Sequence, residues 1–142
     1  MKIFICKVCG HIAFNSAPEA CPVCSAKTFE QNNNIFIDSA EKSKEAAVKH
    51  IPAIQVVKKC GLIPEETCTD ILVRIGETLH PMEEKHHIMY IDCYIDAKYA
   101  SRIMLTPHTW ASVVFHIKAS GSKVTIVERC NVHGFWKAEA DL

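Results

Sequence analysis

Four cysteines in the first 24 residues, paired as Cys6-Lys7-Val8-Cys9 and Cys21-Pro22-Val23-Cys24, constrain this chain more than anything else in it. Two C-x-x-C turns separated by 11 residues bring four thiolates onto one ion as a tetrahedron. Each turn aims backbone N–H groups at sulfur and so favours the anionic form. Gly10, directly after the second cysteine, suits the left-handed turn of such a knuckle. A segment of about 30 residues is too small to fold on an apolar core alone, so the ion itself contributes folding energy. Zinc and iron both accept four sulfurs, and the spacing alone does not choose between them.

The rest of the 142 residues suffices for one further domain. Hydrophobic residues make up 49% and charged residues 23%, the balance of an ordered chain. Lys+Arg and Asp+Glu stand at 16 each, so the overall field offers no handle for nucleic acid or a membrane surface. The N-terminus lacks a leader pattern, and no apolar run reaches the roughly 18 residues of a membrane span. A cytoplasmic protein is expected, with metal ligation rather than disulfides explaining the motif cysteines.

Three regions are expected: a four-cysteine module over 1–34, a connector over 35–47, and a β domain over 48–142. In the connector, Ile35-Phe36-Ile37 reads as a short strand, and Ser39 to Ala47 as helix with Asp38 or Ser39 as N-cap. Strands are expected over Ala53–Lys58, Asp70–Ile75, Ile88–Ile95, Arg102–Leu105, Ser112–Lys118 and Lys123–Arg129. The last two flank Ala119-Ser120-Gly121-Ser122 and read as a hairpin. Short strands with almost no helix between them argue for an antiparallel sandwich. The fold class is therefore mainly β, a metal knuckle followed by a β-sandwich.

Two further motifs carry chemistry. His80-Pro81-Met82-Glu83-Glu84-Lys85-His86 lies between strands, where Pro81 forbids regular pairing and the segment bulges. Cys130-Asn131-Val132-His133-Gly134 lets one turn supply a thiolate and an imidazole. His50, in Lys49-His50-Ile51-Pro52, is a further candidate. One thiolate among several imidazoles suits a redox-active transition metal better than a closed structural zinc site. The ordinary alternative is that several of the eight histidines are surface or core residues; His11, His108 and His116 are read that way, and His87 as an exposed residue or a neighbour of the ligands.

Taken together, these motifs resemble known families. Cys6 through Cys24 is similar to the rubredoxin-type module of rubrerythrins, which implies iron in a one-electron role, although only Phe4, Phe14 and Phe29 are at hand to shield it. Residues 48–138 resemble the superoxide reductases of the desulfoferrodoxin and neelaredoxin family, on Lys49-His50-Ile51-Pro52, His80-Pro81-Met82-x₃-His86-x-Ile88 and Cys130-Asn131-Val132-His133-Gly134-Phe135-Trp136. That resemblance implies an immunoglobulin-like sandwich with one non-haem iron. Its ligands would be His50, His80, His86 and His133 in a plane, with Cys130 axial. The implied reaction is one-electron reduction of superoxide to hydrogen peroxide on the open side, with Lys49 attracting the anion. Backbone N–H groups around Asn131–His133 are expected on the Cys130 sulfur. A rubredoxin-like or other small donor and a homodimer or homotetramer are also implied.

The chain departs from the family pattern at three places. Many members carry glutamate where Val48 stands, so oxidised iron here would stay five-coordinate or take water, hydroxide or a side chain such as Glu45. Desulfoferrodoxins proper have adjacent third and fourth cysteines, whereas Cys21 and Cys24 are two residues apart. Cys60 and Cys68 bracket an insertion the family usually lacks; they are expected as free thiols rather than a disulfide, and Cys93 as a buried thiol. A different class of reading remains open, a non-catalytic electron-transfer or metal-binding protein with a structural zinc at the four cysteines.

Overall fold

The computed structural model describes residues 1–42 and 47–142. Strands β1 (Ile3–Cys6), β2 (Ile12–Phe14) and β3 (Phe29–Gln31) form a small antiparallel sheet in the order β2-β1-β3. Helices α1 (Ile35–Lys42) and α2 (Ala47–His50) follow. The remainder is a sandwich of two antiparallel sheets. One contains β4 (Pro52–Val57), β5 (Thr69–Ile75) and β8 (Ser112–Ile117), in the order β4-β5-β8. The other contains β6 (Ile88–Ile95), β7 (Lys98–Met104), β9 (Lys123–Cys130) and β10 (Gly134–Asp141), in the order β10-β9-β6-β7.

The larger sheet is buried on both faces, which explains why β6 and the middle of β9 run almost without polar interruption. One face, with Ile91, Cys93, Ile126 and Cys130, meets Ile71, Val73, Ile75 and Phe115 in the sandwich core. The opposite face, with Tyr90, Tyr94, Val127 and Phe135, packs on Ile3, Ile5, Ile12 and Phe14 of the four-cysteine module. A register shift between Ile88 and Tyr90 against β9 sets Ile88 opposite Cys130. Such a bulge re-aims side chains where a strand meets a site.

Polar groups stitch the module to this outer face. The Tyr90 hydroxyl donates to the Gly10 carbonyl at 2.9 Å, and the Tyr94 hydroxyl to that of Ile12 at 2.6 Å. Asp92, wholly buried, accepts two hydrogen bonds from Arg102 at 2.6 and 2.8 Å, while Arg102 also donates to the Cys9 carbonyl at 3.1 Å. His11 is buried 3.5 Å from the same carboxylate. Burial works against the Arg102 charge, yet Asp92 outweighs it and raises the guanidinium further. The module is thus shielded by tyrosines of the sandwich, beyond its own Phe4, Phe14 and Phe29.

The structure corrects three expectations. Ile35-Phe36-Ile37 is not a strand but the start of α1, because Asn32 Oδ1 accepts the Asn34 N–H at 3.0 Å and opens a helix. Ile35 and Phe36 then pack on the module–sandwich core. Second, β8 and β9 form no hairpin; they lie in different sheets. The loop between them crosses over, held where the Asp96 carboxylate accepts N–H bonds from Ser122 and Lys123 at 3.1 and 3.0 Å. Third, Cys60 and Cys68 are joined as a disulfide, with Cα atoms 5.3 Å apart. The strand β10 was not anticipated at all; it pairs along its whole length with β9. Glu45 lies outside the described residues.

Candidate metal centres

His50, His80, His86 and Cys130 arrive from three separated segments at one end of the sandwich. His50 ends α2, whose geometry relies on Gly76. That glycine sits at φ +86°, and a Cβ there would meet the Thr78 and Lys49 carbonyl oxygens. The tight approach is sealed by Gly76 N–H to Ile51 O at 3.3 Å and Thr78 N–H to Val48 O at 3.2 Å. The same loop carries His80, whose N–H returns to Ile75 O at 3.1 Å. His86 is set by a reciprocal pair of backbone bonds with Glu83 at 2.9 and 3.0 Å. Cys130 closes β9, and His133 completes the three-residue turn into β10, with Gly134 at φ +79°.

The imidazoles form a ring in the order 50, 80, 86, 133. Neighbouring centroids lie 4.6, 4.7, 4.9 and 4.9 Å apart, with planes nearly perpendicular. His50 and His86 are 6.4 Å apart, the longer separation required across a square. The Nε2 atoms of His50 and His80 are 3.0 Å apart. Two nitrogens bound at right angles about 2.1 Å from one ion sit about 3.0 Å from each other. The ligand atoms of His50, His80, His86 and Cys130 all lie within 4.8 Å of one another. His133 is the outer member, with its Nδ1 3.8 Å from the Cys130 sulfur.

The protonation chemistry agrees with a metal. His80 is wholly buried, and burial is the main force that brings it down to about 4, so the ring is neutral. Its Nδ1 lies 2.7 Å from the Pro81 carbonyl, which fixes the proton there and leaves the Nε2 lone pair facing inward. His86 is lowered by burial and then by the neighbouring His133. Its Nε2 is buried without a hydrogen-bond partner among the described residues, as expected of an atom aimed at an ion. Burial raises the Cys130 thiol, while the His133 and Val132 N–H groups pull it back. Four imidazoles and one thiolate make a His₄Cys donor set, consistent with iron.

At the module, Cys6 and Cys24 sulfurs are 3.6 Å apart, as are those of Cys9 and Cys21. A tetrahedron with metal–sulfur bonds of about 2.3 Å has edges of about 3.8 Å. Burial opposes the Cys6 thiolate, but N–H groups of Cys9 and Val8 prevail and bring it down to about 7; burial pushes Cys9 up to about 12. Gly10 turns one knuckle at φ +77°, and Ser25 turns the other at φ +68°.

Residues 41–139 match the family model for desulfoferrodoxin. The chain belongs to the desulfoferrodoxin family. Residues 4–30 match a second family model, the rubredoxin-like domain of rubrerythrin. The desulfoferrodoxin of Syntrophotalea carbinolica is 32% identical over 142 residues, covering 98% of this chain and 96% of that one. A desulfoferrodoxin homolog of Methanothermobacter thermautotrophicus is 34% identical over 137 residues, 95% of each chain. Among solved structures, the superoxide reductase of Nanoarchaeum equitans is 27% identical, with a TM-score of 0.54 over 66% of this chain and 93% of that one. The superoxide reductase of Treponema pallidum covers 91% of this chain and 93% of its own at 18% identity and a TM-score of 0.58, a likeness of fold.

Members of this family site that sequence reasoning passed over are the supports of the ligands. Trp136 stacks on His50, with centroids 4.8 Å apart and planes 20° apart, and donates its indole N–H to the His133 carbonyl at 3.2 Å. Asn131 clamps the two ligand loops together. It donates its side-chain N–H to Lys85 O at 3.2 Å and accepts the His87 N–H at 3.0 Å. Both belong to the Cys130–Trp136 motif, so their positions were visible while their contacts were not. Glu128, wholly buried two residues before Cys130, has both oxygens unpartnered among the described residues. Burial raises it well above its ordinary value and so favours the neutral acid. Lys49 is exposed beside His50, and its charge is one of those opposing protonation of His86.

Proposed function

We propose that the chain is a superoxide reductase, in which superoxide takes up one electron and two protons and becomes hydrogen peroxide. The observation that carries this is the square of four imidazoles over one thiolate, with a lysine charge felt at its edge. His50, His80, His86, His133 and Cys130 would hold an iron, which would supply the electron when bound. Lys49 draws the anion toward the open face, and its ammonium balances the charge that develops as peroxide forms. Val132 and His133 N–H groups temper the Cys130 sulfur, and Trp136 and Pro81 keep His50 and His80 in orientation. Val48 offers no carboxylate to that face, so oxidised iron there would stay five-coordinate or take water, hydroxide or a side chain such as Glu45.

In this reading the four cysteines, in a module spanning 1–34, would hold a second iron able to relay electrons from a small rubredoxin-like donor. Support comes from the Cys9–Gly10 knuckle, which hydrogen bonds Tyr90; Tyr90 pairs with Arg129, next to Cys130. Among the described residues no helix is long and apolar enough to cross a membrane. The cytoplasm and a homodimer or homotetramer complete the proposal. Pulse radiolysis of the iron-loaded, reduced protein tests it. Rapid second-order loss of superoxide with stoichiometric peroxide is expected; loss no faster than free dismutation would reduce the chain to an electron carrier. Zinc at both centres of protein from its native cells would overturn the redox reading altogether.

A further inference from the structure

Outside both centres, a third set of donor atoms converges at the insertion that departs from the family pattern. Cys60 and Cys68 are almost fully buried at the two ends of that loop. Two residues on, Asp70 enters β5 and faces His116 of β8 as a direct cross-strand pair. The His116 Nδ1 lies 2.7 Å from Asp70 Oδ1, and the Cys68 sulfur 3.9 Å from the same oxygen. The second carboxylate oxygen accepts the Gly61 N–H at 3.4 Å, which ties the far end of the loop to it. All four donor atoms, two sulfurs, one imidazole nitrogen and one carboxylate oxygen, lie within 4.8 Å of one another.

A disulfide that only braces a loop has no use for an imidazole and a carboxylate turned onto it. We propose that Cys60, Cys68, Asp70 and His116 form a redox-gated site for one thiophilic divalent cation of the zinc class. The two states exclude each other, because sulfur atoms bonded to one another cannot both bind an ion as thiolates. Two thiolates, one imidazole and one carboxylate are a tetrahedral set that suits zinc and disfavours magnesium or calcium. Such a site has ligand edges of about 3.3–3.8 Å, within reach of these side chains once the sulfurs part. A cleft of about 530 Å³ lined by Cys68, His116, Glu66 and Lys118 gives the ion a way in. Lys118 also offsets the single negative charge left when two thiolates and a carboxylate hold a dication.

The exchange balances. A dithiol reductant passes two electrons and its two protons to the Cys60–Cys68 bond and leaves as its own disulfide. A phosphine leaves as the phosphine oxide, with oxygen and both protons taken from one water. Binding the cation then releases both thiol protons. In the reverse direction hydrogen peroxide takes two electrons from the bound thiolates and two protons from solvent. The products are the disulfide, two waters and the free cation. The site needs a dithiol-class reductant in one direction and a peroxide-class oxidant in the other, and does not rest on the superoxide reading.

The test uses the full, iron-loaded protein, with both iron centres checked by their spectra. Samples with and without phosphine reductant are incubated with zinc, desalted and measured for zinc, iron and free thiols. One additional zinc per chain is expected after reduction and none before it. Cys60→Ser and Cys68→Ser should each abolish the gain. His116→Ala should weaken it by at least about tenfold, with iron content unchanged. Hydrogen peroxide should then release the zinc with loss of two thiols per ion. Equal zinc in both samples, a Cys60–Cys68 bond that resists reduction in the folded protein, or unaltered binding by His116→Ala would each overturn the proposal.

Discussion

At the scale of single residues, the site divides into groups that donate to the ion and groups that hold the donors. Cys130→Ser replaces a soft, charged donor by a hydroxyl, so the sulfur-to-iron absorption of the oxidised His₄Cys centre should vanish while its four imidazoles remain and the four-cysteine bands persist; a visible difference spectrum checks it. Under the proposed role of Lys49, whose charge would act through its field, Lys49→Ala should slow superoxide capture by a larger factor at low ionic strength than at high. A rate that is unchanged and insensitive to salt would remove Lys49 from the reaction. His80 sets a pH dependence whose sign is fixed. Its folded value is about 4, below its ordinary value of 6.5, so the unfolded chain binds the extra proton between those limits. The metal-free protein should therefore lose stability as pH falls from about 6.5 to about 4, by up to about 3 kcal/mol, in denaturant titrations at each pH.

At the scale of elements, the ligand positions were legible because each motif fixes its own turn, and the supports were not because they act across segments. Pro81 and Gly134 place His80 and His86 on a loop and Cys130 and His133 at a strand-end turn, while their reading as ligands, together with His50, comes from the family resemblance. That Gly76 brings α2 against the His80 loop depends on a backbone contact between residues far apart in function but unremarkable in sequence. Gly76→Ala forces a left-handed alanine against the Lys49 and Thr78 carbonyls. It should cost about 1–3 kcal/mol and lower iron occupancy at the His₄Cys centre without touching the four-cysteine one, as read by metal analysis. The crossover after β8 was misread for a similar reason. A glycine-bearing loop between two strands fits a hairpin, and only Asp96, from another turn, reveals that this one passes between sheets. The strand β10 hid inside a ligand motif, its apolar Phe135 and Trp136 already spoken for.

At the scale of the whole molecule, the β-sandwich and the metal knuckle were both readable, and their union was not. Tyr90, Asp92 and Tyr94 sit in a run that pattern alone assigns to a buried strand. Nothing local says that their hydroxyls and carboxylate meet Gly10, Ile12, Arg102 and His11. The buried Arg102–Asp92 pair is the polar centre of that contact. Asp92→Asn would leave the guanidinium buried without its counter-charge and should destabilise the chain by about 3–5 kcal/mol in chemical denaturation. A single cooperative transition followed both by near-ultraviolet signals and by the four-cysteine chromophore should persist, since the two parts share one core.

That shared core has a consequence for kinetics. A donor tethered by a loose linker samples many separations, and its transfer rate averages over rare close approaches. Here the outer face of β6 is closed by tyrosines and an ion pair, so the sulfur-rich end is seated rather than leashed. Any electron crossing between the two centres does so from one standing distance, and the crossing should be first order and independent of viscosity. In the proposed reaction, what remains diffusive is only the arrival of superoxide and of whatever refills the donor.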